Sequence, residues 1–238
     1  MQLRGVPPRA TRKRIKMMLY GKAKTGKSLF CTQFPKPYYI DTERGVDFDK
    51  YVSNIEANNG VVFQTTDYKE LLKEIETIST IEHDYQTLVI DSISTIRDNL
   101  VDEELQKIES SDKQSKYSQE HQFANLKLKR IYRLLLDIDM HVIITAHSKE
   151  KYAADEFKVI GTTGDAHKKS DHLFDLLLET FVSGTKYYSI CRGSRLRGLK
   201  NNQEIETSYQ KFYEHYMKEM EYLKPIPLIV VEDINHVK

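Results

Sequence analysis

The sequence has little that marks a secreted, fibrous or membrane-spanning protein. Only two cysteines occur in 238 residues, Cys31 and Cys191, far apart and each within an apolar segment. That argues against a disulfide scaffold and a cysteine-based zinc site, and makes a reducing cytoplasm the expected compartment. No apolar run approaches the roughly 18 residues a membrane span needs. The N-terminus, MQLRGVPPRATRKRIK, is basic but lacks the apolar stretch of a secretory signal. There is no internal repeat, no low-complexity tract and no Gly/Ser-rich linker. Net charge is almost absent too: 36 Lys+Arg stand against 35 Asp+Glu, a formal +1. As a total, this disfavours a nucleic-acid binder. What is present, 39% hydrophobic and 30% charged residues, is enough for one substantial core and argues against wholesale disorder.

After a basic arm over 1–14, short runs rich in β-branched and aromatic residues alternate with helical patterns. The expected strands are Ile15–Tyr20, Pro37–Asp41, Val61–Thr65, Gln86–Asp91 and Met140–Ala146. Between them lie helical stretches over Lys27–Phe34, Tyr68–Thr80, about Ile93–Ile108, and Gln119–Ile138. The alternation predicts an α/β fold with a mainly parallel sheet flanked by helices. Continuous runs such as Leu88-Val89-Ile90 and Val142-Ile143-Ile144 suit strands buried on both faces. Residues 148–170 read as a long loop. Leu173–Val182 and Lys186–Arg192 then form an antiparallel hairpin around Ser183-Gly184-Thr185. A last helix, about Ile205–Leu223, places Tyr209, Phe212, Tyr213, Tyr216 and Met220 on one face, to pack on the core or on a neighbour. The expected divisions are an arm over 1–14, a core over 15–200, and a C-terminal helix and tail over 201–238.

Gly21-Lys22-Ala23-Lys24-Thr25-Gly26-Lys27-Ser28 matches G-x-x-x-x-G-K-[ST], between a strand and a helix. The glycines let the backbone curl so that successive N–H groups, through Leu29, converge on phosphate oxygens, and the following helix start adds partial positive charge. Lys27 is expected on the β/γ-phosphates of ATP and the Ser28 hydroxyl on Mg²⁺. Leu88-Val89-Ile90-Asp91-Ser92 ends an apolar strand in a carboxylate beside this loop, where Asp91 can hold Mg²⁺ through water. Hydrolysis also needs a group that orients or deprotonates water. No acid follows Asp91, so the candidate is Glu43 in Tyr38-Tyr39-Ile40-Asp41-Thr42-Glu43, with Asp41 orienting it or Mg²⁺. His147 closes another buried strand and is placed to sense the γ-phosphate.

Taken in this order, "MLYGKAKTGKS", "IDTERG", "LVIDSIST", "VIITAHSKE" and "KKSDHLFDLLLE" resemble the RecA ATPase core, and more narrowly the phage-encoded RecA-like nucleotide-binding proteins, some of which are single-strand annealing recombinases. The resemblance covers roughly residues 15–200. It implies a RecA-like P-loop ATPase core that oligomerises as a ring or filament with nucleotide at subunit interfaces and binds single-stranded DNA. It further implies a host bacterial cytoplasm, and a single-strand DNA-binding protein as a further partner. On this likeness Lys27, Glu43, Asp91 and His147 form the hydrolytic set. His147 stands where RecA carries an amide. No separate DNA-binding domain is evident, which favours annealing over strand exchange.

The charge total hides its distribution. Residues 1–16 carry Arg4, Arg9, Arg12, Lys13, Arg14 and Lys16 with no acid, a local +6 that leaves −5 for the rest. Such an arm can neutralise phosphates. After His147 come Lys149, Lys151, Tyr152, Phe157, Lys158, Lys168 and Lys169, cations among aromatics as single-strand binding uses. Arg192, Arg195 and Arg197, with Lys200, form a run free of acids. By the resemblance, basic residues hereabouts reach the γ-phosphate of the adjacent subunit, with Arg195 the first candidate. Two other readings stand beside the DNA-dependent ATPase. One is a nucleotide-switched assembly or helicase-loading factor acting through the C-terminal tyrosine stripe. The other is a small-molecule kinase, which the lack of an Arg-rich lid makes less apt.

Overall fold

Strict alternation of apolar side chains along each central strand divides this protein's core in two. In the computed structural model, which describes residues 14–110, 119–152, 159–166 and 170–221, nine strands form the sheet. These are β1 (Lys16–Gly21), β2 (Pro37–Asp41), β3 (Val61–Gln64), β4 (Thr87–Asp91), β5 (His141–Tyr152), β6 (Val159–Gly164), β7 (Leu176–Ser183), β8 (Lys186–Ser194) and β9 (Glu204–Glu206). Their order is β3-β2-β4-β5-β1-β7-β8-β9, with β6 paired to β5 off this path. The pairings from β3 through β7 are parallel, and β8 and β9 close the edge antiparallel.

One face buries Met18, Ile40, Leu88, Ile90, Val142 and Ile144 under the helices α3 (Tyr68–Ile78), α4 (Ile93–Ser110) and α5 (Gln119–Asp137). The other buries Met17, Leu19, Tyr39, Val89, Ile143 and Leu178 under α1 (Lys27–Cys31), α2 (Asp49–Ala57) and α6 (Tyr209–Glu221). A side-chain period of two makes this division automatic. The α6 stripe packs on its own core: Phe212 is 1% exposed, with ring centroids 5.3 Å from Phe34 and 5.8 Å from Tyr216. Met220's side chain lies outside the described residues.

Several expectations change. Ile205, expected to open the last helix, lies in β9, and α6 begins at Tyr209. The loop predicted over 148–170 is largely a hairpin. β5 continues five residues past His147, and β6 pairs with it from Ser148↔Gly164 to Tyr152↔Val159. Its charged, two-sided sequence hides it from a rule built on buried strands. Helix α2 was not expected at all, because only Ile55 of its nine residues is buried and no side chain caps it.

Candidate active site

Parallel strands point their carboxyl ends the same way, so the ends of β1, β2, β4 and β5 deliver one residue set to one edge. The turn after β1 is tightly made. Gly26 sits at φ 89°, and a Cβ there would lie 2.6 Å from the Tyr187 ring of β8. A Cβ on Gly21 would lie 2.3 Å from Thr180 Oγ1. Thr25 Oγ1 donates to the Lys22 carbonyl at 2.8 Å and shares a 2.6 Å hydrogen bond with Thr180. Gly26 is thus required twice over, by backbone and by space. We expect Gly26→Ala to weaken nucleotide binding at least about tenfold and to lower the unfolding temperature. A fluorescent-nucleotide titration beside a thermal melt checks both.

Lys27 Nζ donates to the carbonyls of Gly21 (3.0 Å) and Lys22 (2.8 Å). Burial lowers its pKa from the ordinary range, while Asp91 and Glu43 oppose that. Lys22, Ala23 and Lys24 are exposed at the mouth, and Ser28 and Leu29 are half-buried. The predicted helix over Lys27–Phe34 is only the five residues of α1. A helix this short offers little dipole, so a phosphate at this turn would meet the loop's N–H groups and Lys27 first.

Asp91 is 6% exposed. Its Oδ1 accepts from Thr145 of β5 and its Oδ2 from the Tyr39 hydroxyl at 2.5 Å. Asp41 braces the turn that follows it. Its carboxylate accepts the backbone N–H groups of Glu43 (3.0 Å), Gly45 (3.2 Å) and Val46 (3.3 Å), which fixes the turn that presents Glu43. Glu43 Oε1 accepts from Ser92 Oγ (2.5 Å) and Thr95 Oγ1 (3.0 Å) and lies 2.7 Å from His147 Nε2. These hydrogen bonds, His147's first, hold the Glu43 carboxyl down to about 2 against the opposing effect of burial. The same contact raises His147, with Asp98 assisting and Lys27 opposing.

Both side chains are more than a third exposed, so the pair adds little to stability. Glu43's share is present above about 4.5 and lost as pH falls towards 2. His147's share is complete below 6.5 and lost as pH rises through its raised value. Behind it, Ser94 Oγ accepts from the His147 N–H and donates to the Asp165 carbonyl. The Asp165 carboxylate takes Lys149 (2.7 Å) and Arg97 (3.4 Å).

The structure therefore brings Lys27, Ser28, Glu43, Asp91 and His147 together. It also adds Tyr39, Thr145, Ser92 and Thr95, whose hydroxyl partners no spacing rule reveals. It does not bring in Arg195. β8 runs antiparallel, and its last residue, Ser194, pairs with Leu176 at the start of β7. Arg195 thus lies at the amino edge, roughly 16 Å from the phosphate side by strand rise. There it is 3.0 Å from Asp175 and bonds the His172 carbonyl, so it cannot serve its own chain's nucleotide. Arg192 pairs with Glu179 at 2.7 Å, and Arg14 lies 3.8 Å from Asp139 at the same amino edge. Arg12, Lys13, Phe157, Lys158, Lys168 and Lys169 lie outside the described residues, as do the side chains of Lys151 and Tyr152.

Among the described residues no group of three or more His, Cys, Asp or Glu could hold a metal ion by itself. Ser28 and Asp91 offer hard oxygen donors, few in number, which fits Mg²⁺ carried mainly by phosphates and water. No described helix is long and apolar enough to cross a membrane.

Residues 13–215 match the family model described as AAA domain. No curated protein matches the chain. Among solved structures, the crystal structure of the RadB recombinase superposes with a TM-score of 0.52 at 14% identity, covering 82% of this chain and 86% of that one. The fold is that of a RecA-like core.

Proposed function

We propose a function from the premise that this chain belongs to the AAA domain family: it is a Mg²⁺-dependent ATPase that binds single-stranded DNA as an oligomer and promotes annealing in recombination, in phage DNA metabolism. The observation that carries the hydrolytic part is the Glu43 carboxylate, fixed by Ser92, Thr95 and His147 at the strand edge that holds Lys27 and Asp91. In this reading the loop N–H groups and Lys27 bind the β/γ-phosphates. Ser28 and Asp91 hold Mg²⁺, which when bound neutralises phosphate charge. Glu43 orients a water and takes its proton.

Single-stranded DNA falls to the basic arm and to the β5–β6 hairpin. This hairpin leaves the main sheet where the Gly21↔His147 pairing ends, and it carries Lys149. Arg192, Arg195 and Arg197 are the cations such an assembly offers a neighbouring subunit. The test is ATP hydrolysis with and without oligonucleotides, for the wild type and Lys27→Ala. Loss of hydrolysis in the variant supports the site, and stimulation by single strands supports the DNA part. Hydrolysis that survives Lys27→Ala defeats the site, and indifference to oligonucleotides defeats the DNA part.

One observation favours a second reading, a nucleotide-switched assembly factor. Tyr213 and Met217 of α6 are exposed at 43% and 38%. They line a groove of about 570 Å³ with Arg14, His141 and Tyr216, at the edge opposite the phosphate loop. Negligible DNA binding together with a co-purifying protein would select this reading.

The His147–Glu43 contact gives hydrolysis a predictable pH dependence. While His147 is protonated, Glu43 is a poor base. As pH rises through the raised His147 value, the imidazole loses its charge and Glu43 gains basicity. The rate should therefore climb with a midpoint above 6.5. His147→Gln keeps a hydrogen-bond donor without the charge and should flatten that limb in a kcat–pH profile.

A further inference from the structure

Beside Asp91, one of the two residues assigned to the metal, stands a hydroxyl that the phosphate chemistry has not used. Tyr39 is 0% exposed and lies among the apolar side chains under α1, α2 and α6. A phenylalanine would fill the same space, so packing alone does not require the oxygen. That oxygen donates its one proton to Asp91 Oδ2 at 2.5 Å. Thr145 on Oδ1 fixes the other half of the same carboxylate.

Ser28 follows β1 and Asp91 ends β4, and β5 lies between these two strands in the sheet. Tyr39, from the far side of β4, reaches Asp91 on the face that carries α1. We propose that Tyr39 is the positioning residue for the magnesium–nucleotide complex, its hydroxyl, with that of Thr145, orienting the Asp91 carboxylate towards the cation. This rests on the metal assignment above and adds a residue to it.

The test is ADP binding to the full chain by calorimetry, with Mg²⁺ and with EDTA, for the wild type and Tyr39→Phe. The variant should bind metal-free ADP as the wild type does. Its gain in affinity on adding Mg²⁺ should shrink by about fivefold, the worth of one hydrogen bond. The Mg²⁺ concentration for half-saturation should rise to match. An unchanged Mg²⁺ gain, or an equal loss with and without metal, overturns the proposal, because a purely structural hydroxyl predicts one of those two.

Should Tyr39→Phe fold poorly, a double-mutant cycle with Asp91→Asn, read as the Mg²⁺ gain at low temperature, decides instead. Non-additive losses mean that Tyr39 acts through Asp91, and additive ones defeat the proposal. A wild type that binds ADP equally with and without Mg²⁺ overturns the metal assignment itself, and the inference with it, which separates the two failures.

Discussion

Glu43→Gln should bind nucleotide as the wild type does and hydrolyse it about 10²–10⁴-fold more slowly, the range expected for loss of a positioned general base. The amide oxygen can still accept from Ser92 and Thr95, so the turn made by Asp41 has no reason to move. What disappears is the carboxylate's capacity to take a proton. Single-turnover hydrolysis measured beside nucleotide affinity separates the two effects. A fall in both together would mean that Glu43 supports the loop and not the chemistry. A rate that stays within a few-fold of the wild type would move the water-activating role elsewhere.

Phe212→Ala should lower stability by about 3–5 kcal/mol, a large share of the 5–15 kcal/mol typical of a domain. Phe212 is 1% exposed, and its ring lies 6.4 Å from Phe30, 5.3 Å from Phe34 and 6.3 Å from Tyr209. Truncation leaves a cavity among rings held by α1, the turn after it and α6 itself, with little room to collapse. Chemical denaturation at two protein concentrations is the check. A loss independent of concentration agrees with α6 packing on its own sheet. A loss that vanishes on dilution would place the stripe against a neighbour instead.

Local signals carried most of what the sequence showed. The P-loop is a contiguous motif, and strands buried on both faces announce themselves as apolar runs, so β2 falls on Pro37–Asp41 as expected. Glu43, Asp91 and His147 follow from strand ends alone, because parallel pairing sends those ends to one edge. Harder to see was anything settled by a partner distant in sequence. The β5–β6 hairpin is polar on both sides, so no burial pattern betrays it. Arg195 sits at a strand end, but one residue string does not say which end of the sheet that is, and the antiparallel course of β8 decides it. Tyr39 reads as a core residue, and it is one. That its hydroxyl meets Asp91, 52 residues away, is visible only in the folded chain.

Strand β5 has a consequence at the level of energy linkage. On one face its alternate residues reach three different groups: Thr145 reaches Asp91, His147 reaches Glu43, and Lys149 reaches Asp165. One continuous backbone thus joins the phosphate edge to the hairpin beyond it, with no hinge residue between them. Any ligand on the hairpin whose binding displaces Lys149 or His147 changes the affinity for nucleotide by some factor. Nucleotide must then change the affinity for that ligand by the same factor, in the same direction. The strength of the coupling can therefore be measured from either end of one strand, and the two values must agree.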